Sequence, residues 1–171
     1  PGLPELLVVG MAERRIEFTT FIADALAEAE LAFICVGTPQ RGPRDGRSDL
    51  SYVAATAEAI ATHAPRDLVV VGKSTVPVGT GREIRRILER RKRAGIQFHI
   101  GSNPETLKEG TAVEDFLHPD RIIIGADDDV ARKTLLALYA SFDCEKVVVD
   151  VTSAELVKLV ANTMLAQRIS T

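Results

Sequence analysis

Short apolar runs alternate with amphipathic stretches along almost the whole chain, the pattern left by parallel βα units. Residues 31–36, 67–74, 97–101, 121–125 and 146–149 are valine-, isoleucine- and phenylalanine-rich and predict buried strands. Residues 3–14, 21–29, 50–63, 81–94, 111–116, 130–141 and 154–169 carry apolar positions at helical spacing. In 21–29, for example, Ile22, Ala25, Leu26 and Ala29 fall on one face. Residues 15–19 read as a further short strand. Asp49 and Ser153 stand where a helix N-cap belongs, and Gly95 where a helix stops. The polar stretch 37–48, with Arg41, Pro43, Arg44, Asp45, Gly46 and Arg47, reads as an exposed loop. The resulting fold class is α/β, a doubly wound and mostly parallel sheet closed by a long helix.

Composition narrows the function classes. With 171 residues the chain can bury a real core, and 46% hydrophobic with 26% charged residues is ordinary for a globular protein. A net charge of −3 offers no general attraction to nucleic acid or to an anionic membrane. No apolar stretch approaches the roughly 20 residues of a membrane span, and no secretory signal is visible, so cytoplasm is the expected location. Cys35 and Cys144 are too few and too far apart for a disulfide framework or a zinc site, and no metal is expected. Cys35 lies in an apolar run and reads as a small buried hydrophobe; Cys144 lies between Asp143 and Glu145, which disfavour a thiolate. The arginine-rich stretch from Arg82 to Arg93 reads as a solvated helix face, lacking the aromatics of a nucleic-acid site.

Three polar segments follow predicted strands or lie on the last helix. After the strand at 97–101 comes Ser102-Asn103-Pro104-Glu105-Thr106-Leu107-Lys108-Glu109-Gly110, which sets charge at the carboxyl edge of a sheet, where open α/β proteins bind ligands. Glu105 and Glu109 share a face if this segment is helical. The pair also suits a solvated turn, but a carboxylate desolvated in a cleft has the raised pKa of a general base. Gly72-Lys73-Ser74-Thr75 imitates the tail of a P-loop, yet Asp67 stands where its first glycine belongs, and a valine-rich strand cannot form that cradle. Thr75 remains a hydroxyl ligand for water or cofactor. Val36-Gly37-Thr38-Pro39 ends another strand with a glycine that admits close approach. Lys158 and Asn162 lie one helical turn apart; they suit a solvated face, or together an oxyanion.

These stretches in this order resemble the UDP-glucose 6-dehydrogenase family of nucleotide-sugar dehydrogenases. The matching text is PGLPELL, FICVGTP, SDLSYV, VVGKSTVPVGT, SNPETLKEG, AVEDFLHPDRIIIG, and SAELVKLVAN followed by LAQRIS. Each block alone is weak, and all in register are specific. The resemblance implies a Rossmann-like NAD domain over 1–150, incomplete at its amino-terminal side, and the start of a linking, dimer-forming helix over 151–171. It implies oxidation of the C6 alcohol of UDP-glucose to a carboxylate in two hydride transfers, through a cysteine thiohemiacetal and thioester. Val36, Gly37, Thr38, Pro39 and Gln40, with Ser74, Thr75 and Val76, would line NAD. Thr75 would also hold the hydrolytic water, and Glu105 would be the general base. Glu105, Thr106, Leu107, Lys108 and Glu109 would contact substrate, Glu109 also standing near the nicotinamide. Lys158 and Asn162 would contact substrate, assist proton transfer and stabilise the oxyanion. The intact protein would be a homodimer.

The family's glycine-rich fingerprint should precede Pro1, and its catalytic cysteine should follow Thr171; neither Cys35 nor Cys144 matches it. Thr106 stands where the family usually has phenylalanine. The chain opens on Pro1-Gly2-Leu3-Pro4 and stops inside a helix without a cap, so it reads as an internal fragment. Loss of a central strand would leave two strand edges unpaired in mid-fold, with weak NAD binding and no activity in isolation. GDP-mannose and UDP-N-acetylhexosamine dehydrogenases are the nearest alternatives. A non-catalytic remnant or interaction module is the alternative of another class.

Overall fold

The computed structural model describes residues 2–108 and 110–170. Its elements are α1 (Leu3–Ala12), α2 (Ile22–Leu26), β1 (Leu31–Ile34), β2 (Gln40–Gly42), β3 (Asp45–Ser48), α3 (Ser51–His63), β4 (Leu68–Gly72), α4 (Thr80–Arg91), β5 (Phe98–Ser102), α5 (Ala112–Leu117), β6 (Arg121–Ala126), α6 (Asp129–Leu138), β7 (Glu145–Val149) and α7 (Val151–Ser170).

Side chains alternate across a strand, so a valine run buried on both faces needs helices above and below it. In β4, Leu68 and Val70 join a layer with Ala57, Ile60, Ile84 and Leu88 of α3 and α4. Val69 and Val71 join the opposite layer with Ala131 and Leu135 of α6. The main sheet is continuous and five-stranded, in the order β1-β4-β5-β6-β7. The fold is the Rossmann-like α/β arrangement expected, ending in a long helix.

β1, β4 and β5 pair in parallel, and so do β6 and β7. β5 and β6 are antiparallel, pairing only Gly101 with Ala126 and Ser102 with Gly125. Because that overlap involves the last residues of both strands, the beginning of β6 runs on past the carboxyl end of β5. Residues Arg121 to Ile123 thereby stand beside the loop that leaves β5 at Asn103.

α7 starts where β6 meets β5. A Cβ on Gly125 would lie 2.6 Å from the Ala154 Cβ and 3.1 Å from the Val151 Cα. A Cβ on Gly81, in the first turn of α4, would lie 2.5 Å from Val151 Cγ1. The two glycines let α7 sit directly on the sheet and on α4. The Asp127 carboxylate accepts the Val151 N–H at 3.0 Å.

Four expectations are corrected. Residues 15–19 form no strand: Glu17 and Phe18 are exposed, and no neighbouring strand takes up the backbone groups a strand must pair. No break opens inside the sheet either, since β1 and β7 are its edges. The stretch 37–48 holds an antiparallel hairpin, β2–β3, closed at its base by the Asp49 N–H on the Pro39 carbonyl at 2.7 Å. Ser153 lies within α7, and Asp150 does the capping, accepting the Ser153 N–H at 2.9 Å and its hydroxyl at 2.5 Å. Asp49 accepts the Ser51 N–H at 2.9 Å, just ahead of α3.

Gly125→Ala should cost about 1–3 kcal/mol, because the added methyl overlaps Ala154 and the helix backbone cannot retreat without losing its contacts on both sides. Urea denaturation measures this directly, and a cost below about 0.5 kcal/mol would show that the junction is loose.

Candidate active site

Parallel pairing puts the carboxyl ends of β1, β4 and β5 on one edge, and the segments leaving them are bonded to one another. The Lys73 and Ser74 N–H groups donate to the Ile34 carbonyl at 3.1 and 3.2 Å. The Ser74 hydroxyl donates to the Val36 carbonyl at 2.7 Å, and the Thr38 hydroxyl to the Thr75 carbonyl at 2.8 Å. Val36–Thr38 and Ser74–Val76 therefore form one ledge. Gly37 on that ledge is exposed, with no atom within 4 Å of where a Cβ would stand. Beside it, a groove of about 530 Å³ runs between Arg41 and Arg47 of the hairpin, Thr75 to Pro77, and Leu159 of α7.

The β5 segment is anchored at Asn103, which is only 3% exposed. Its N–H donates to the Gly72 carbonyl at 2.9 Å and its side-chain amide to the Ile123 carbonyl at 2.8 Å. Its side-chain oxygen accepts the Tyr139 hydroxyl at 2.5 Å and the Lys73 ammonium at 2.8 Å. Two residues on, Glu105 Oε1 accepts from Lys158 Nζ at 2.7 Å and Oε2 from the Leu107 N–H at 2.8 Å. The loop closes through Asp115, which accepts from the Lys108 N–H at 2.9 Å and the Thr111 hydroxyl at 3.0 Å. A cavity of about 390 Å³ opens between Thr106, Lys108 and Asp115, the start of β6, and Val157 and Ala161 of α7.

Burial pushes the Glu105 carboxyl up, but the Lys158 bond, the Leu107 N–H and the nearby Lys158 and Lys73 charges outweigh it, and the pKa is lowered. The raised value expected of a desolvated base is thus corrected: an ammonium faces the carboxylate. Residues 103–108 also form no helix, contrary to the helical turn considered for Glu105. Glu109 itself lies outside the described residues.

A second carboxylate has no counterpart among the expected site residues. Glu155, 4% exposed, accepts the N–H groups of Gly79 and Gly81 at the start of α4, each at 2.6 Å. It satisfies donors that a helix N-terminus otherwise leaves unpaired. Burial raises its pKa against the pull of these two bonds and of Arg82. Glu155 precedes Lys158 by three residues, nearly one turn of α7, so the clasp and the ion pair share one helix face. The available clue was an acidic residue beside Ala154 on the side of the helix that had to be buried.

The remaining expected residues divide. Thr75 and Val76 are half-buried on the ledge, Gln40 is exposed at the start of β2, and Pro39 is exposed beside it. Thr106 and Lys108 face α7 across the cavity, and Leu107 is exposed. Asn162 is exposed one turn beyond Lys158. Cys35 is exposed, not buried, because β1 ends at Ile34 and forms the outer edge of the sheet. Its surroundings raise the thiol pKa, with Lys73 pulling the other way. No cluster that could hold a metal ion occurs among the described residues, and no helix there is long and apolar enough to cross a membrane.

Residues 1–143 match the NAD binding domain of the UDP-glucose/GDP-mannose dehydrogenase family. The chain belongs to that family. The cofactor of the domain is NAD. UDP-glucose 6-dehydrogenase YwqF of Bacillus subtilis is 41% identical over 170 residues, 99% of this chain and 38% of the relative. The UDP-glucose 6-dehydrogenase of Gallus gallus is 42% identical, over 99% of this chain and 36% of its own length. Among solved structures, a UDP-glucose dehydrogenase from Pyrobaculum islandicum superposes with a TM-score of 0.93 at 42% identity, covering 99% of this chain and 40% of that one. A GDP-mannose dehydrogenase of Pseudomonas aeruginosa gives 0.92 at 32% identity, with the same coverage. The chain thus spans about two fifths of the length of these relatives.

The Glu155 clasp makes a pH prediction. Because its folded pKa is raised above the unfolded value of about 4.3, its stabilisation is complete below that value and declines as pH rises through the folded pKa. Glu155→Gln can accept only one of the two N–H groups and should cost about 2–4 kcal/mol. Urea unfolding from about pH 4.3 upward should show the decline in the wild type and not in E155Q; parallel curves would overturn the assignment.

Proposed function

We propose that the protein containing this chain is an NAD-dependent UDP-glucose 6-dehydrogenase, oxidising C6 of UDP-glucose to the carboxylate of UDP-glucuronate in two hydride transfers. The observation that carries the reading is the Lys158–Glu105 contact at 2.7 Å, a base and a cation brought together from segments 53 residues apart. Support for UDP-glucose over GDP-mannose is the identity, 42% against 32% for the two solved relatives at equal coverage.

Bound NAD supplies the hydride acceptor. In this reading the ledge of Val36, Gly37, Thr38 and Pro39 with Gln40, and of Ser74, Thr75 and Val76, holds it. The exposed Gly37 leaves that surface open to a ligand, and the family resemblance assigns Glu109, outside the described residues, a role beside the nicotinamide. The residues from Glu105 to Glu109, with Lys158 and Asn162, take the sugar. The family resemblance assigns the acyl carrier, as thiohemiacetal and then thioester, to a cysteine outside this chain. Glu105, held ionised by Lys158, accepts a proton from the water that hydrolyses the thioester, and Thr75 positions that water. Lys158 and Asn162 donate to the oxyanion as it forms, which needs fixed donors in a water-poor site.

The first turns of α7 would end the NAD domain near residue 150 and begin the linking helix. Its outer apolar side chains Leu156, Val160, Met164 and Leu165 are exposed, which supports a homodimer of the intact, cytoplasmic enzyme. Full-length protein should release two NADH per UDP-glucose. Glu105→Gln should slow turnover by about 10²–10⁴ yet still give a rapid burst of NADH, since hydride transfer precedes hydrolysis. Rapid-mixing absorbance separates the two phases, and a mutant without a burst would reject this role. Residues 1–171 expressed alone are expected to produce no NADH from UDP-glucose, and clear production would overturn the assignment of the nucleophile elsewhere.

A further inference from the structure

Lys73 lies at the end of β4 with its ammonium turned inward, where burial is costly unless the charge serves a purpose. It stands 5.7 Å from the centre of the Phe33 ring and donates to the Asn103 side-chain oxygen at 2.8 Å and the Asn103 carbonyl at 3.4 Å. The Asn103 side chain does not depend on that donor. The Asn103 oxygen already accepts the Tyr139 hydroxyl at 2.5 Å, and its amide is satisfied by the Ile123 carbonyl. An apolar side chain of similar length would fill the space without the desolvation cost. Lys73 is thus a second donor to the Asn103 side-chain oxygen and the one that reaches its backbone carbonyl.

We propose that Lys73 is a positioning residue of this site: by gripping Asn103 it fixes the Asn103–Pro104 link and so the place of the Glu105 carboxylate against Lys158, and it supplies that carboxylate with a second positive charge. The proposal rests on the role of Glu105 given above. Lys73, turned towards Asn103, adds its charge to that of Lys158 in holding Glu105 ionised. Both Lys73 and Glu105 line one small cavity with Asn103, Asp115, Arg121 and Tyr139. The groups facing Glu105 are Lys158 of α7, Lys73 of β4, the Leu107 N–H of its own loop, and Asp115 and Arg121 across the cavity. Those facing Lys73 are Cys35 beyond β1, Glu105 and Lys158; burial lowers its pKa, Cys35 and Glu105 oppose this, and Lys158 adds to it.

The test uses full-length protein and reads the Glu105 carboxyl by ¹³C NMR titration without substrate, beside the pH profile of kcat/KM. Lys73→Met should raise the Glu105 pKa, move the acid limb of the profile to higher pH and lower kcat by about 10-fold. Lys73→Arg, which retains the charge, should leave the titration near that of the wild type. Tyr139→Phe, which removes another hold on the Asn103 side-chain oxygen, should leave it unmoved. A folded K73M with unchanged Glu105 titration overturns the proposal, and so does a Y139F shift as large as that of K73M. If K73M does not fold, the unmutated protein decides: the ¹⁵N resonance of Lys73 Nζ should inflect at the pH where Glu105 titrates and lose that inflection in Glu105→Gln, and its absence overturns the proposal. These titrations need no turnover, so a shift in a protein that fails to oxidise UDP-glucose would uphold Lys73 and reject the substrate.

Discussion

Glu155 is the contact on which the rest of this arrangement depends. A buried carboxylate on the last helix completes the N-terminus of α4, and α4 begins immediately after the segment that carries Ser74 to Val76. The same helix delivers Lys158 to Glu105 nearly one turn later. A single side chain therefore ties the ledge at β1 and β4 to the loop beyond β5. Burying a carboxylate is costly, and two N–H donors with the positive end of a helix offset that cost in a way that specifies one orientation of α7. Gly81 and Gly125 reinforce this by allowing an approach that no larger residue permits.

The reversal at β6 has an equal part in the site. Parallel α/β sheets leave their carboxyl edge open to solvent on every side. Here β6 runs antiparallel to β5 and overlaps it by only two residue pairs, so its first residues form a wall beyond the edge. Asn103 bonds to that wall at Ile123, and Arg121 and Ile123 line the cavities next to Glu105. The edge becomes a cleft with β6 on one side and α7 on the other. Glu105 in that cleft is partly desolvated yet held ionised, because burial is outweighed by two ammoniums and a backbone N–H. A base kept ionised in this way is ready to accept a proton, although it is weaker than one with a raised pKa.

Much of this was legible in the order of residues. The unbroken valine run of β4, helical spacing in α3 and α6, and polar text after β1, β4 and β5 are local properties, and they specify layers, strand order of appearance and the edge that carries chemistry. The motif blocks extended this to NAD and singled out Glu105 and Lys158, which the fold brings into contact. Local pattern misled where a partner was required. Residues 15–19 alternate like a strand but have nothing to pair with, Cys35 sits in an apolar run that ends at an outer edge, and Ser153 follows an aspartate that takes the cap.

By itself the sequence determined the α/β class, the strands of the main sheet and most helices, and which side chains could do chemistry, because propensity and periodicity act over a few residues. The tertiary structure alone decided the antiparallel placement of β6, the clasp of Glu155 on α4, the lowered pKa of Glu105 and the position of Lys73 on Asn103. Each of these depends on groups at least twenty residues apart, and neither hydrogen-bond pairing nor electrostatic environment at such separations can be read along a chain.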